Sequence, residues 1–340
     1  MEGELHNFMR VWLTVVISLA YCYSISKVVS AGPKRLILLL PVVGLFFYLP
    51  LHLSSPHLCG MTSFFITWLA NFKLLLFSFG QGPLASDPSI SLPLFVAVAC
   101  LPIKLQQNPS QKSPLKPRES PSNYAIKGLI LVLMIKIYDY RDYMHPKMVL
   151  VLYGLHTYFG LEIILAMGAA MARTMTGLEL EPQFNEPYLS TSLQDFWGKR
   201  WNLMVPSILR PTVYLPTIKA CSRVIGRKWA PLPAVFATFV VSGIMHELIF
   251  YYLGRMRPTW EVMGFFLVHG LCLTAEIALK KAIDGRWRLH GLISGGLTIG
   301  FVVTTSVWIF LPCLSKSQID VRSLEEYALI GAFIRNLIPY

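Results

Sequence analysis

The chain has 340 residues, of which 54% are hydrophobic and only 14% are charged. A soluble globular domain usually has about 25% charged residues, so this composition excludes an ordinary soluble domain. The formal net charge is +12, from 30 Lys and Arg against 18 Asp and Glu. We interpret the excess as loops that face anionic membrane lipid, and no nucleic-acid partner is predicted because no basic and aromatic nucleic-acid motif is present.

Apolar blocks of the length needed to cross a bilayer recur along the chain. Eight blocks are predicted as spans: 9–29, 36–53, 61–79, 127–138, 148–171, 230–253, 260–279 and 292–314. A further run, 90–103, contains Pro93 and Pro102 and is too short to span, which predicts a re-entrant or broken helix. The sequence therefore predicts an all-α, polytopic transmembrane helical protein with eight or nine spans and a single integral membrane domain over 1–340.

Two long polar stretches separate the apolar blocks. Residues 104–122 are rich in Pro, Ser, Gln and Lys, which predicts a mobile polar loop. The stretch 173–229 has eight Lys and Arg against four acidic residues, so it is predicted to be a cytoplasmic loop with interfacial helices. The six cysteines are scattered without a CxxC pair, and no metal site is predicted.

Ionisable side chains inside a bilayer are costly, so each one is a candidate functional residue. We consider eight such residues of the predicted spans as candidates: Lys73, Lys136, His156, Glu162, His246, Glu247, His269 and Glu276. Lys73 and Lys136 lie near span ends, and we interpret them as cations that extend to the membrane surface. Glu276 follows His269 by two helical turns, so these two are predicted to share a polar network, with a structural pair favoured over a functional one.

His246 differs from the other seven in its surroundings. Ser242 and Gly243 lie one helical turn before it, and these small residues leave space for a substrate chain or a neighbouring helix. A buried, neutral imidazole can accept a proton, although the residues alone favour a core histidine bonded to its helix. A zinc protease site is excluded because Phe250 occupies the position of the second histidine in HExxH.

A second cluster is Asp-Phe-Trp-Gly-Lys-Arg-Trp-Asn at 195–202, which concentrates three aromatic rings, two cations and an amide. One interpretation is an aromatic belt at the membrane surface, with Lys199 and Arg200 extending into water. The other is a binding site in which the cations contact phosphates, the rings line an apolar slot and Asn202 donates a hydrogen bond. The residues alone favour neither interpretation.

The cluster 195–202, together with Thr191-Ser192 upstream and the Ser-Gly-x-x-His-Glu block ending at Glu247, resembles the wax synthase branch of the membrane-bound O-acyltransferases. The runs 38–53 and 68–76 also look like plant wax synthases, so the resemblance extends along the whole chain. Within the cluster, Phe-Trp-x-x-x-Trp-Asn is similar to the Phe-Tyr-x-Asp-Trp-Trp-Asn signature of related sterol and diacylglycerol acyltransferases, which is tied to acyl-CoA use. Relatives more often have Arg where Lys199 stands.

The resemblance implies an acyl-CoA:long-chain-alcohol O-acyltransferase of the endoplasmic reticulum that forms wax esters by direct transfer. It implies His246 as general base and Asn202 as a residue that hydrogen-bonds the developing oxyanion or orients the thioester. We assign acyl-CoA binding to Phe196, Trp197, Lys199, Arg200 and Trp201, and the lining of the acceptor chamber to Ser242, Gly243 and His269. Acyl-CoA is a co-substrate, so no resident cofactor is expected, and the expected partners are acyl-CoA, a lipid alcohol and membrane lipids, without a prediction of oligomeric state.

Two alternatives accompany this prediction. The acceptor hydroxyl could belong to a sterol, because plant members of this branch share their motifs. In a different class, the chain could be a membrane transporter in which buried His and Glu residues relay protons. The sequence has no internal repeat, which disfavours the transporter.

Overall fold

The computed structural model describes residues 2–102, 121–176, 183–283 and 289–337. These residues form helices and connecting turns without a β-strand, which confirms the all-α prediction. Their α-helices, in chain order, are α1 Glu2–Val28, α2 Pro33–Tyr48, α3 Pro56–Thr62, α4 Asn71–Ser78, α5 Leu92–Cys100, α6 Pro121–Ile137, α7 Pro146–Thr176, α8 Leu193–Asp195, α9 Met204–Leu209, α10 Leu215–Trp229, α11 Pro231–Gly254, α12 Glu261–Ile283, α13 Gly291–Thr305, α14 Pro312–Lys316 and α15 Ile319–Leu337.

Short segments of other helix types connect or extend these α-helices. The 3₁₀ segments are Leu49–His52, Pro83–Ala85, Tyr138–Tyr143 and Pro187–Leu189. The π-helical segments are Ser63–Ala70, Phe196–Arg200, Arg210–Tyr214 and Ser306–Phe310. Two of the π segments join helices without a break, so that α3 continues into α4 and α9 continues into α10.

Seven helical stretches in the described residues are long and apolar enough to cross a membrane. They are Gly3–Val28, Pro33–His52, Pro56–Ser78, Pro146–Thr174, Pro231–Gly254, Glu261–Ile283 and Gly291–Lys316. The predicted count of eight or nine spans is therefore not confirmed. The predicted span 127–138 lies mainly in α6, which has 17 residues, and the run 90–103 forms the nine-residue α5.

The predicted loops are described only in part. Residues 103–120, which include most of the predicted loop 104–122, lie outside the described residues. The predicted loop 173–229 contains the end of α7 and all of α8, α9 and α10. Of this loop, residues 177–182 also lie outside the described part of the chain.

The short helix α5 ends inside the protein, and Lys73 donates hydrogen bonds to the carbonyl oxygens at that end. The Lys73 side chain is 1% exposed, and its Nζ donates hydrogen bonds to the carbonyl oxygens of Val98 at 2.6 Å and Leu101 at 2.7 Å. The last carbonyls of a helix have no partner within the helix and carry partial negative charge, so a buried cation is stabilised there. The interpretation of Lys73 as a cation that extends to the membrane surface is therefore wrong.

Helices α11 and α12 form the central antiparallel pair. A Cβ atom on Gly243 would lie 2.4 Å from Sδ of Met263, and one on Gly270 would lie 2.8 Å from Cβ of Phe239. The two glycines therefore allow the helices to approach closely. Of the two occupants predicted for the space beside Gly243, the structure places the neighbouring helix there.

The two ends of this pair contact different parts of the chain. At one end, Nζ of Lys281 donates a hydrogen bond to the carbonyl of Lys228, which ties α12 to α10. At the other end, Glu261 forms an ion pair with Lys316 at 2.5 Å, which ties α12 to α14. The segment 183–203 packs toward the first end, and α14 and α15 lie at the second end.

Candidate active site

One ring nitrogen of His246 is hydrogen-bonded, and the other has no hydrogen-bond partner among the described residues. Its Nδ1 lies 2.8 Å from the carbonyl oxygen of Ser242, one helical turn earlier. A carbonyl can only accept a hydrogen bond, so Nδ1 carries the proton of the neutral ring and Nε2 carries the lone pair. Within the described residues Nε2 has no hydrogen-bond partner, so His246 presents a proton acceptor to whatever occupies the space beside it.

Aromatic rings surround the imidazole of His246. The ring of Phe266 lies 4.3 Å from it between centroids, Trp68 meets it edge-on at 5.1 Å, and Phe310 lies 6.2 Å away. Trp68 lies in the π-helical segment Ser63–Ala70 and Phe310 in Ser306–Phe310. π-Helical turns are rare and occur frequently at functional sites, so the local backbone sets these two rings against the candidate base.

Trp68 is a residue that the sequence analysis did not single out. Its side chain is 1% exposed, and its indole N–H is buried without a hydrogen-bond partner. Leaving a buried donor unpaired costs about 1–3 kcal/mol. Nothing in the apolar pattern of 61–79 distinguishes Trp68 from the residues around it, so only the tertiary contact with His246 reveals it.

The motif 195–202 folds into a tight π-helical turn that stacks its own rings. Phe196 and Trp201 stack with centroids 5.5 Å apart and an angle of 16° between their planes. Trp197 lies 6.1 Å from Phe266, which in turn contacts His246. The two sequence motifs therefore meet in one aromatic cluster.

His269 anchors Trp197 and has no free nitrogen. The indole N–H of Trp197 donates to Nδ1 of His269 at 3.1 Å, so Nε2 carries the ring proton and donates to Oγ1 of Thr305 at 2.8 Å. The His269 side chain is fully buried. Glu276 does not join it, because its carboxylate accepts from the backbone N–H of Leu193 at 2.8 Å, so the predicted network of His269 and Glu276 is wrong.

Asn202 has a conformation that few other residues adopt. Its φ angle is +37°, in the left-handed region that asparagine tolerates better than most side chains. Its Oδ1 atom is buried without a hydrogen-bond partner. Backbone strain and an unpaired polar atom together are typical of residues held for function.

The two cations of the motif differ in what they bind. Nε of Arg200 lies 2.7 Å from a carboxylate oxygen of Asp195, and its Nη1 donates to the carbonyls of Asn185 and Glu186. The side chain of Lys199 is exposed, and its ammonium has no partner among the described residues. Arg200 therefore holds the motif segment together, and Lys199 is the cation that is available to an incoming anion.

Apart from His156, the other candidate ionisable residues of the spans are paired or exposed. Glu162 forms an ion pair with Lys127 at 2.5 Å, and Glu247 accepts the backbone N–H of Met263 at 2.9 Å. No group of three or more potential metal ligands occurs in the described part of the chain. Together with Lys73, Glu276 and His269, these residues have protein partners, so the structure separates them from His246.

Comparison with known proteins identifies the family of this chain. The model of the family described as membrane bound O-acyl transferase matches residues 180–268, which include both motifs. The chain is 54% identical to acyl-CoA–sterol O-acyltransferase 1 of Arabidopsis thaliana over 334 residues, covering 96% of each protein. It is 46% identical to the long-chain-alcohol O-fatty-acyltransferase of Simmondsia chinensis, covering 97% of this chain and 95% of that protein. It is also 46% identical to the probable long-chain-alcohol O-fatty-acyltransferase 3 of Arabidopsis thaliana, covering 99% and 97%.

The fold and these relatives define an integral membrane acyltransferase. The chain belongs to the membrane-bound O-acyl transferase family, which confirms the predicted resemblance. The same relationship decides against the transporter alternative, because all three of these relatives are named as acyltransferases.

Proposed function

We propose that the protein transfers a long-chain fatty acyl group from acyl-CoA to the hydroxyl of a long-chain alcohol and so forms a wax ester. The observation that carries this proposal is the unpaired Nε2 of His246 beside the acyl-CoA motif, in a chain 46% identical to long-chain-alcohol acyltransferases. We place the protein in the endoplasmic reticulum on the family resemblance.

In the proposed mechanism, Nε2 of His246 takes the proton of the acceptor hydroxyl as its oxygen attacks the thioester carbonyl. The coenzyme A thiolate leaves, and the proton passes from Nε2 to this thiolate, which becomes the free thiol. The bond from Nδ1 to the Ser242 carbonyl supports this step because it orients the ring and stabilises the imidazolium that forms. No acyl-enzyme intermediate is required, so the mechanism needs no serine or cysteine nucleophile.

The motif 195–202 supplies the acyl-CoA side of the proposal. Asn202 stabilises the developing oxyanion through its amide N–H groups, an effect that is worth about 3 kcal/mol in other enzymes. The exposed Lys199 binds a coenzyme A phosphate, and the stacked rings of Phe196 and Trp201 cover the acyl stem. Arg200 acts through the loop that it holds in place, and Trp197 is oriented by His269.

A sterol is the second candidate acceptor. The observation in its favour is the 54% identity to a protein named as a sterol acyltransferase, which exceeds the 46% identity to the long-chain-alcohol enzymes. Both reactions use the same base and the same acyl donor, so they differ only in the hydroxyl that reaches His246.

The test is a competition with purified protein in phospholipid vesicles. Palmitoyl-CoA is supplied with equal amounts of hexadecanol, a sterol and a diacylglycerol, and the esters are separated and quantified. We expect wax ester to exceed the other two products by at least tenfold. A majority of steryl ester would transfer the proposal to the sterol, and an absence of all esters in folded protein would overturn it.

A further inference from the structure

A second histidine in the spans also has an unpaired nitrogen, and it lies outside the site described above. Nε2 of His156 lies 2.9 Å from the hydroxyl of Tyr327, whereas its Nδ1 is buried without a hydrogen-bond partner. His156 belongs to α7 and Tyr327 to α15. An unpaired polar atom in a membrane-spanning helix is costly, so its retention suggests a ligand.

The hydrogen bonds around Tyr327 define what this nitrogen can bind. Nδ1 of His57 bonds the carboxylate of Glu326, and Nε2 of His57 lies 2.8 Å from the Tyr327 hydroxyl. A neutral His57 therefore donates through Nδ1 and accepts the Tyr327 proton at Nε2. The Tyr327 oxygen then accepts from Nε2 of His156, which leaves Nδ1 of His156 as an acceptor without a donor.

The protonation states of Glu326 and Tyr327 are consistent with these donor and acceptor roles. Burial opposes the ionisation of Glu326, but hydrogen bonds from His57 and Ser55 outweigh it and lower the pKa of this carboxyl. Burial raises the pKa of Tyr327 to about 12, so its hydroxyl keeps its proton at neutral pH. Glu326 is therefore an acceptor for His57, and the Tyr327 hydroxyl keeps the proton that a neutral His57 can accept at Nε2.

Tyr138 provides a donor next to this unpaired acceptor. Its ring lies 5.7 Å from the ring of His156 between centroids, and its hydroxyl is buried without a hydrogen-bond partner. An alcohol hydroxyl has one proton to donate and lone pairs to accept, so a single hydroxyl satisfies both His156 and Tyr138.

A cavity of about 190 Å³ lies against these groups. Tyr138, His156, Tyr327 and the carboxylate of Asp320 line it together with apolar side chains of α7, α11 and α15. Leu161 also lines the cavity and is exposed on α7, so the cavity opens on the outer surface of a membrane-spanning helix. Apolar walls with a few convergent polar groups are typical of sites for small amphiphilic ligands.

The cavity and the acyl-CoA motif lie on opposite sides of His246. Phe239, seven residues before His246 on α11, contacts Trp197 of the motif. Leu253, seven residues after His246, lines the cavity. At 1.5 Å per residue, each lies about 10 Å from His246 along the helix. An acceptor from the cavity would thus approach the base from the side away from acyl-CoA.

We propose that this cavity is a binding site for the hydroxyl of the acceptor alcohol, which Nδ1 of His156 and the phenol of Tyr138 hold before the alcohol moves to His246. This inference rests on the proposed function for the identity of the ligand. The alcohol dissolves in the lipid and reaches the cavity through the opening beside Leu161.

Photolabelling tests the site without turnover. A hexadecanol analogue with a diazirine next to the carbinol carbon is irradiated with purified full-length protein in the absence of acyl-CoA, and the labelled peptides are mapped. We expect labelling of residues 153–164, displaced by excess hexadecanol but not by hexadecane, which has no hydroxyl. Labelling that is absent from this segment, or that hexadecane displaces equally well, would overturn the proposal.

Conservative variants test the two hydrogen-bonding groups. Tyr138→Phe keeps the ring, and His156→Gln keeps a donor for Tyr327 but removes Nδ1. Each is expected to raise the hexadecanol concentration for half-maximal displacement, and for half-maximal rate, about fivefold, with the acyl-CoA dependence unchanged. The matched controls are Tyr143→Phe and His6→Gln, both at exposed residues, and they should behave as the unsubstituted protein.

Equal behaviour of variants and controls would contradict the site. Labelling needs no ester formation, so it reports on the cavity even if the proposed reaction fails. Conversely, wax ester formation by a protein whose cavity is not labelled would retain the proposed function and reject this inference.

Discussion

Among the eight candidate ionisable residues of the predicted spans, only His246 and His156 have a ring nitrogen without a partner in the described part of the chain. Charged and polar groups inside a membrane protein are retained where a partner offsets the cost of removing them from water. Lys73, Glu162, Glu247 and His269 have such partners in the protein. Nε2 of His246 has none among the described residues, which supports its proposed role as the base for a substrate hydroxyl.

Substitution of Trp68 tests whether its unpaired indole N–H takes part in the reaction. Trp68→Phe keeps an aromatic ring beside His246 but removes the unpaired N–H. Removal of an unsatisfied buried donor offsets part of the cost of the cavity that the smaller ring leaves, so we expect the thermal midpoint to change little. If the N–H instead binds a substrate oxygen, the rate should fall about tenfold. Thermal unfolding and turnover of the same preparation check both effects.

The control for Trp68 is Trp12, whose N–H already has a partner. Nε1 of Trp12 donates to Oγ1 of Thr62 at 3.2 Å. Trp12→Phe should therefore lower stability by about 1 kcal/mol and leave the rate per folded molecule unchanged. An unchanged rate in Trp68→Phe would show that its indole N–H has no part in the reaction.

Among the elements, the π-helical segments place the rings of the site. Ser63–Ala70 presents Trp68, Phe196–Arg200 forms the motif turn, and Ser306–Phe310 presents Phe310. A π turn inserts an extra residue per turn and so rotates the side chains that follow it. Three such segments around one histidine explain how long, straight spans converge on a compact cluster.

The motif turn predicts different effects for its two cations. Lys199→Gln removes an exposed charge, so we expect the acyl-CoA concentration for half-maximal rate to rise about fivefold at low salt, less at high salt, without a loss of stability. Arg200→Gln breaks the pair with Asp195 and should lower stability by about 1 kcal/mol. Acyl-CoA titrations at two ionic strengths and thermal unfolding separate the two effects.

Lys219→Gln is the matched control for Lys199, because it removes a lysine from the same predicted loop but lies on α10. Its acyl-CoA dependence should not change. Equal shifts for Lys199→Gln and Lys219→Gln would indicate general attraction by a positive surface and would reject a specific phosphate contact.

Hydropathy predicted the long helices better than it predicted the hydrogen-bond partners of the side chains on them. Long apolar blocks correspond to seven long helices because a bilayer segment must satisfy its own backbone hydrogen bonds. The role of Lys73 could not be predicted, because the carbonyls that it binds belong to α5, about 25 residues away. Helical spacing placed His269 and Glu276 on one face but gave no information about Trp197 or Leu193, which bind them instead.

In the molecule as a whole, α11 and α12 place His246 between the motif segment and the cavity beside His156. The motif segment lies toward one end of the pair, and the cavity beside His156 lies toward the other. The motif segment could be proposed from sequence as the acyl-CoA side, since its residues are close together in the chain. The cavity was not predictable, because its polar groups come from α3, α7, α15 and the 3₁₀ segment Tyr138–Tyr143.

The central claim is direct acyl transfer with His246 as the base. It is tested most directly by a single-turnover measurement in which purified protein, labelled palmitoyl-CoA and hexadecanol are mixed and quenched. For His246→Ala we expect ester formation to fall at least 100-fold with acyl-CoA binding unchanged, whereas His6→Ala retains the full rate and no protein-bound acyl group forms. A folded His246→Ala protein within tenfold of the unsubstituted rate, or a labelled acyl-enzyme that converts to ester, would contradict the claim.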